Sequence, residues 1–148
     1  MDLKRYGLHR RRLNGVPMMD FEFGKGQIVK DGSDITIFST GCILGDVMDS
    51  AGIIEEKTSK SVRVVNIPTL KPIDTDIIVE CAKSSDMLFT VEDHSIIGGL
   101  GSAVSDVLTE QMPKSLCKIG LNDVFPESAP PADLYEKYGL SSNQISKR

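Results

Sequence analysis

Residues 90–104, TVEDHSIIGGLGSAV, gather the side chains best suited to chemistry. Glu92, Asp93 and His94 end an apolar run, and Gly98, Gly99 and Gly101 follow with Ser95 and Ser102 among them. These types suit three chemistries: an acid–histidine relay, a metal site or an anion cradle. The relay fails first. Adjacent side chains of an extended segment point to opposite faces, so Asp93 and His94 do not pair by alternation. No nucleophile motif surrounds Ser95, Ser102 or Cys117, because Gly99-Leu100-Gly101-Ser102-Ala103 places its serine directly after the second glycine rather than in Gly-x-Ser-x-Gly. A metal site is poorly supplied, since His9 and His94 are the only histidines and no His-Glu-x-x-His spacing occurs. The anion cradle is better supplied. Gly99-Leu100-Gly101 opens a helix pattern just after a strand, where helix N–H groups attract anions. A dinucleotide fingerprint would place glycine or alanine at 104, where Val104 stands, and a Walker lysine is missing. Glycine also lets a helix start lie close to a strand, a purely structural use. Glu92, Asp93, His94, Gly98, Gly99 and Gly101 are therefore candidate contacts, either at an interface or around a small anion. Lys71 is a further cation suited by type.

The elements around this stretch follow from periodicity. Residues 27–29 read as a short strand, and Lys30–Asp34 as a turn that would make a hairpin with the buried strand Ile35–Ser39. Leu44, Val47, Met48, Ala51 and Ile54 fall on one helical face, with Asp46, Asp49, Glu55 and Glu56 largely opposite. Residues 61–67 form the next strand, stopped by Pro68. Asp74 and Thr75 are good N-caps for a helix burying Ile77, Ile78, Cys81 and Ala82. The segment 86–93 is a continuous apolar strand of the kind covered on both faces. Leu100, Ala103, Val104, Val107 and Leu108 line another helix that ends before Pro113, and residues 116–121 form a last strand. Two short helices close the chain, one starting at Pro130 or Pro131 and ending at Gly139, the other opened by a Ser141/Gln144 capping box. Alternating strands and helices predict an α/β fold with a mostly parallel sheet covered on both faces.

Composition narrows the function. A chain of 148 residues suits one domain with a real core. A net charge of -4 argues against general affinity for nucleic acid or anionic membranes, and the lack of tryptophan argues against base stacking. No apolar run approaches the ~20 residues of a membrane span, and no signal-peptide core follows the charged first residues. The three cysteines form no CxxC pair, which suits a reducing cytoplasm; Cys81 and Cys117 sit in apolar patterns and read as buried. The first 26 residues lack a period, and His9–Arg12 is a basic patch of the solvated or partner-facing kind.

Residues 89–110, FTVEDHSIIGGLGSAVSDVLTE, closely resemble the signature of the transketolase C-terminal domain. That domain is the third domain of thiamine diphosphate-dependent transketolases, and it recurs in deoxyxylulose phosphate synthases and in 2-oxo acid dehydrogenase β subunits. Residues 24–41, 62–78 and 130–145 resemble other stretches of the same domain in the same order. The resemblance covers residues 20–146, departs at Ala129-Pro130-Pro131, and favours the transketolase branch. It implies a three-layer α/β/α sandwich with a five-stranded, mostly parallel sheet and one antiparallel strand, over residues 23–148. Residues 1–22 resemble the connector leaving a preceding pyrimidine-binding domain. In the family, the cofactor's diphosphate and metal are held by a Gly-Asp-Gly…Asn motif of the first domain, and a glutamate of the pyrimidine domain activates it. Neither is present here; Lys30-Asp31-Gly32 lacks the leading glycine. The resemblance thus implies a non-catalytic assembly domain. No cofactor is expected on this chain itself, with thiamine diphosphate and a divalent metal in the complete enzyme. The expected partners are the N-terminal and pyrimidine-binding domains or subunit, in a homodimer, with the helix over 98–111 and its preceding loop at the contact. The rival reading is a regulatory module for a nucleotide or phosphate.

Overall fold

The computed structural model describes residues 21–148. The His9–Arg12 patch, and all but the last two residues of the expected connector over 1–22, lie outside the described residues. The strands are β1 (Gln27–Lys30), β2 (Ile35–Ser39), β3 (Val62–Asn66), β4 (Met87–Ser95) and β5 (Leu116–Leu121). The helices are α1 (Leu44–Thr58), α2 (Thr75–Ser84), α3 (Leu100–Gln111), α4 (Pro131–Lys137) and α5 (Ser142–Ile145). One five-stranded sheet has the order β1-β3-β2-β4-β5. β1 is antiparallel to β3, and the other neighbours are parallel.

Central β2 is buried along its whole length, as a strand covered on both faces must be. Its alternation splits the core in two. Ile37 joins Val47 and Ala51 of α1, Val64, Val91 and the C-terminal Leu140 and Ile145. Phe38 joins Val65, Ile78 of α2, Leu88, and Leu100 and Val104 of α3. α1 and the closing helices therefore cover one face, and α2 and α3 the other. Asp74 caps α2 as expected, accepting from Ile77 N at 3.3 Å, and it also takes Gly26 N at 2.9 Å.

Three expectations are corrected. β1 and β2 form no hairpin, because β3 lies between them. The 31–34 turn must cross one strand, a span of roughly 10 Å between strand axes. It passes so close to the start of β3 that a Cβ on Gly32 would lie 2.5 Å from the Val62 carbonyl carbon. Asp34 anchors the crossing by accepting from both Ser61 N and Ser61 Oγ at 2.7 Å. The capping box at α5 is not formed, because Gln144 Nε2 donates to the Glu136 carbonyl and carboxylate instead. Cys117 is exposed, because β5 is the edge strand, whereas Cys81 is buried on the inner face of α2.

The connections out of β2 and β4 run to opposite sides. β2 leads through α1 to β3, and β4 leads through α3 to β5 on the other face. Between the carboxyl ends of β2 and β4 the winding reverses, which is where open α/β sheets generally receive ligands.

Candidate functional site

The 90–104 stretch stands at this reversal, where β4 carries a bulge against β5. Val91 pairs with Ile119, but the next pair is Ser95 with Leu121, so four steps on β4 match two on β5. Such bulges re-aim side chains next to turns. Glu92 points inward under α3 and is 1% exposed. Its Oε2 accepts from Leu100 N at 2.7 Å and its Oε1 from Gly101 N at 2.8 Å. A buried carboxylate needs such partners, and the first N–H groups of a helix need acceptors. Glu92 thus fills from within the place an external anion would take.

The glycines make room for it. A Cβ on Gly99 would lie 1.9 Å from Glu92 Oε2 and 2.7 Å from the Ser95 carbonyl oxygen. One on Gly120 of β5 would lie 2.9 Å from the His94 carbonyl oxygen and 3.1 Å from Glu92 Cγ. One on Gly101 would crowd Lys118 and Thr90. Gly98 has φ 78°, the left-handed value that favours glycine. The turn also bonds to itself: Ile97 N donates to Ser95 Oγ at 3.1 Å, and Gly98 N to Ser102 Oγ at 2.9 Å. Ser102 Oγ in turn donates to the Ile96 carbonyl at 3.2 Å.

Asp93 faces the opposite helix layer. Its Oδ2 accepts from Tyr135 OH of α4 at 2.9 Å. Burial, and then the Asp93 carboxylate, push the Tyr135 hydroxyl above the ordinary tyrosine range. The other oxygen, Oδ1, lies 3.5 Å from His94 Nε2. Simple alternation would have kept Asp93 and His94 apart; the bulge brings them together. They still make no relay. His94 is 73% exposed, and the hydroxyls of Ser95 and Ser102 are engaged with turn backbone. Cys117 pairs with Phe89, back toward the amino end of the sheet.

Beside this turn lies an open cleft of about 480 Å³ between the ends of β2 and β4, lined by Thr40, Gly41, Leu70, His94, Ile97 and Gly99 among others. Lys71 is exposed in the loop leaving β3. Among the described residues no group of three His, Cys, Asp or Glu could hold a metal ion. Asp31 of the Lys30-Asp31-Gly32 string accepts from Gly32 N at 2.8 Å and Arg63 Nε at 3.2 Å. It lies at the amino end of the parallel strands, opposite the cleft. These residues do not fit a metal-bound diphosphate. The sequence grouped Glu92 with outward contacts and missed Tyr135. The signal for Glu92 was present as an acid ending a buried strand shortly before a Gly-x-Gly helix start. Nothing in the sequence pointed to Tyr135.

The transketolase C-terminal domain family matches residues 24–145. A transketolase C-terminal section from Methanocaldococcus jannaschii is 45% identical over 129 residues, covering 86% of this chain and 40% of that protein. A 1-deoxy-D-xylulose-5-phosphate synthase from Trichormus variabilis is 34% identical over 140 residues, covering 90% of this chain and 22% of that one. Among solved structures, a split-gene transketolase described as an inactive β4 tetramer superposes with a TM-score of 0.81 at 41% identity, covering 90% of this chain and 45% of that one. The chain therefore spans less than half the length of each of these relatives.

Proposed function

The chain belongs to the transketolase C-terminal domain family, and from that premise we propose that it is the assembly section of a transketolase-type enzyme. The complete enzyme would transfer two-carbon ketol units between sugar phosphates, and this section would not be catalytic alone. One observation carries the non-catalytic part of the reading. The α3 N-terminus, the best candidate for anion chemistry, is filled by the chain's own Glu92. The thiamine diphosphate and metal of the complete enzyme would be held by other domains and would supply the carbanion chemistry there. The 45% identity to a transketolase C-terminal section and the 41% identity to a split-gene transketolase support that branch, against 30–37% for the synthases. Homodimer formation and a reducing cytoplasm belong to the same proposal; the free thiols of Cys42, Cys81 and Cys117 suit the latter.

Reconstitution tests it. The chain is mixed with a polypeptide carrying the diphosphate- and pyrimidine-binding domains of a transketolase from the same genome, with thiamine diphosphate and Mg²⁺. The expected result is a stable complex with ketol transfer that neither part shows alone. No complex and no gain in activity would refute it. The cleft at the winding reversal favours a second reading, a small-ligand module. A saturable thermal shift with nucleotides or sugar phosphates would support that reading, and a flat response across the set would remove it.

A further inference from the structure

The two faces of the sheet are not covered alike. α2 and α3, of 10 and 12 residues, lie over one face, whereas α5 on the other has 4. At 1.5 Å per residue α5 spans about 6 Å, while a strand of the length of β2 runs about 17 Å. α4 serves the carboxyl end, where Tyr135 meets Asp93. The amino end of β4 and β5 is therefore left partly open on the α1 side. β4 records the difference within three residues. Leu88, toward α2 and α3, is 2% exposed, whereas Phe89 is half-buried and Met87 is 46% exposed, although β4 is an internal strand.

A cavity of about 290 Å³ occupies the gap. Ile37, Phe89 and Ile119 form its floor, Ile54 of α1 and Ile145 of α5 its walls, and Met87 its edge. It lies at the opposite end of the strands from the cleft at the winding reversal. Three cations also line it, Lys60 after α1 and Lys147 and Arg148 after α5, and among the described residues no acid does. All three are exposed, and none closes an ion pair within 4.0 Å among the described residues. Lys60 and Lys147 are within electrostatic reach of Asp34 and Glu136. Those acids, however, already accept from Ser61 and Gln144.

Small-ligand sites are concave and mostly apolar, with a few polar groups that fix orientation. This lining decides the ligand's chemistry. The hydroxyls of a sugar phosphate or a nucleotide would be buried against isoleucine and phenylalanine without partners, which is costly. An alkyl chain needs no partner there, and a carboxylate at its end can stay in water beside the cations. We propose that this groove binds an amphipathic organic anion, an alkyl chain ending in one carboxylate, with the chain over Phe89 and Ile119 and the carboxylate at Lys147 and Arg148. The site is independent of the assembly reading above.

Amide NMR titration of the full chain with octanoate tests it. Saturable shifts are expected around Phe89, Ile119 and Ile145, with none around Gly98–Gly101. Butyrate should bind at least roughly tenfold more weakly, because each buried methylene contributes about fourfold. Octanol, which lacks the charge, should bind about fivefold more weakly, the upper range for exposed charge pairs. The double variant Lys147→Glu/Arg148→Glu replaces attraction by repulsion and should lose at least roughly tenfold. Its unfolding midpoint should not change, since both side chains are exposed. Lys71→Glu, at the other end of the sheet, should bind octanoate as wild type does. No saturable shift, shifts centred at the carboxyl end, or octanoate binding unchanged in the double variant would each overturn the inference. Equal affinity for octanoate and octanol would overturn it too, by removing the role of the cations.

Discussion

Replacing Glu92 by glutamine tests the reading of the β4–α3 turn directly. The carboxylate accepts from Leu100 N at 2.7 Å and Gly101 N at 2.8 Å. Hydrogen bonds to a charged partner contribute about 1.5–3 kcal/mol each, and neutral ones about 0.5–1.5. Glutamine keeps one acceptor and turns its NH₂ toward the second N–H. It also removes a negative charge from a helix N-terminus, an interaction worth up to about 2 kcal/mol when partly buried. Against this, a neutral amide is less costly to bury than a carboxylate. A net loss of about 2 kcal/mol follows, which in a chain of this size lowers the thermal midpoint by roughly 4–8 °C. Circular dichroism during thermal and urea unfolding measures it. Glu92→Ala should cost more, about 3–4 kcal/mol, because two buried donors lose their acceptor and a void opens. Gly99→Ala drives a methyl to 1.9 Å from Oε2 and 2.7 Å from the Ser95 carbonyl oxygen, so the Oε2 part of its cost should vanish in the Glu92→Ala background while the backbone part remains. The double-mutant cycle should show at least about 1 kcal/mol of coupling. Sulfate should raise the midpoint of Glu92→Ala more than that of wild type, because the vacated seat is an anion site. A Glu92→Gln protein that unfolds at the wild-type midpoint, or an additive cycle, would refute the reasoning.

Other outcomes follow from the fold. Gly32→Ala should destabilise by roughly 2–4 kcal/mol in urea unfolding, because its Cβ would meet the β3 backbone at 2.5 Å with no flexible side chain to yield. With the Tyr135 hydroxyl's folded pKa raised above its unfolded value of about 10, its contribution to stability is complete below pH ~10 and is lost as pH rises through the higher folded value. Urea midpoints between pH 8 and 11 should therefore fall less steeply for Tyr135→Phe than for wild type. Thiol labelling of the native protein should modify Cys42 and Cys117 quickly and Cys81 only on unfolding, since burial also raises the Cys81 pKa. Slow labelling of Cys117 would count against its edge position.

Most of the architecture was legible because it rests on local signals. The apolar stripe of α1, the Asp74 cap, the buried run of β4 and the Pro131 start of α4 each have a short-range physical cause, and each element stands where its residues placed it. Strand order was not legible from periodicity. Ile28 and Ile37 alternate alike whether their strands are adjacent or separated by β3, and the crossing depends on a non-local close approach, the backbone of Gly32 passing the start of β3 at Val62. The bulge escaped for the same reason. It exists only in the register of β4 against β5, and it brings His94 beside Asp93, whereas Glu92 under α3 and Asp93 toward Tyr135 follow the alternation of the strand. Cys117 was misplaced because an apolar pattern does not say which strand is the edge.

The bulge and the glycines together decide what this end of the sheet is available for. In an open α/β sheet, a winding reversal beside a helix N-terminus offers N–H donors to a phosphate. Here the donors of Leu100 and Gly101 already hold a carboxylate, and the Gly98 donor holds Ser102. An incoming phosphate would have to displace Glu92, which has no room to retreat between Gly99 and Gly120. The electrostatic attraction of the helix start is thereby satisfied inside the molecule. The side chains facing outward at this end include His94, Lys71, Asn122 and Asp123 as well as the apolar Ile97, Val124 and Phe125. A phosphate at this helix start would therefore compete with Glu92 for the donors of Leu100 and Gly101. The Glu92→Ala variant tests this: with the carboxylate gone, it should gain the response to sulfate that wild type lacks.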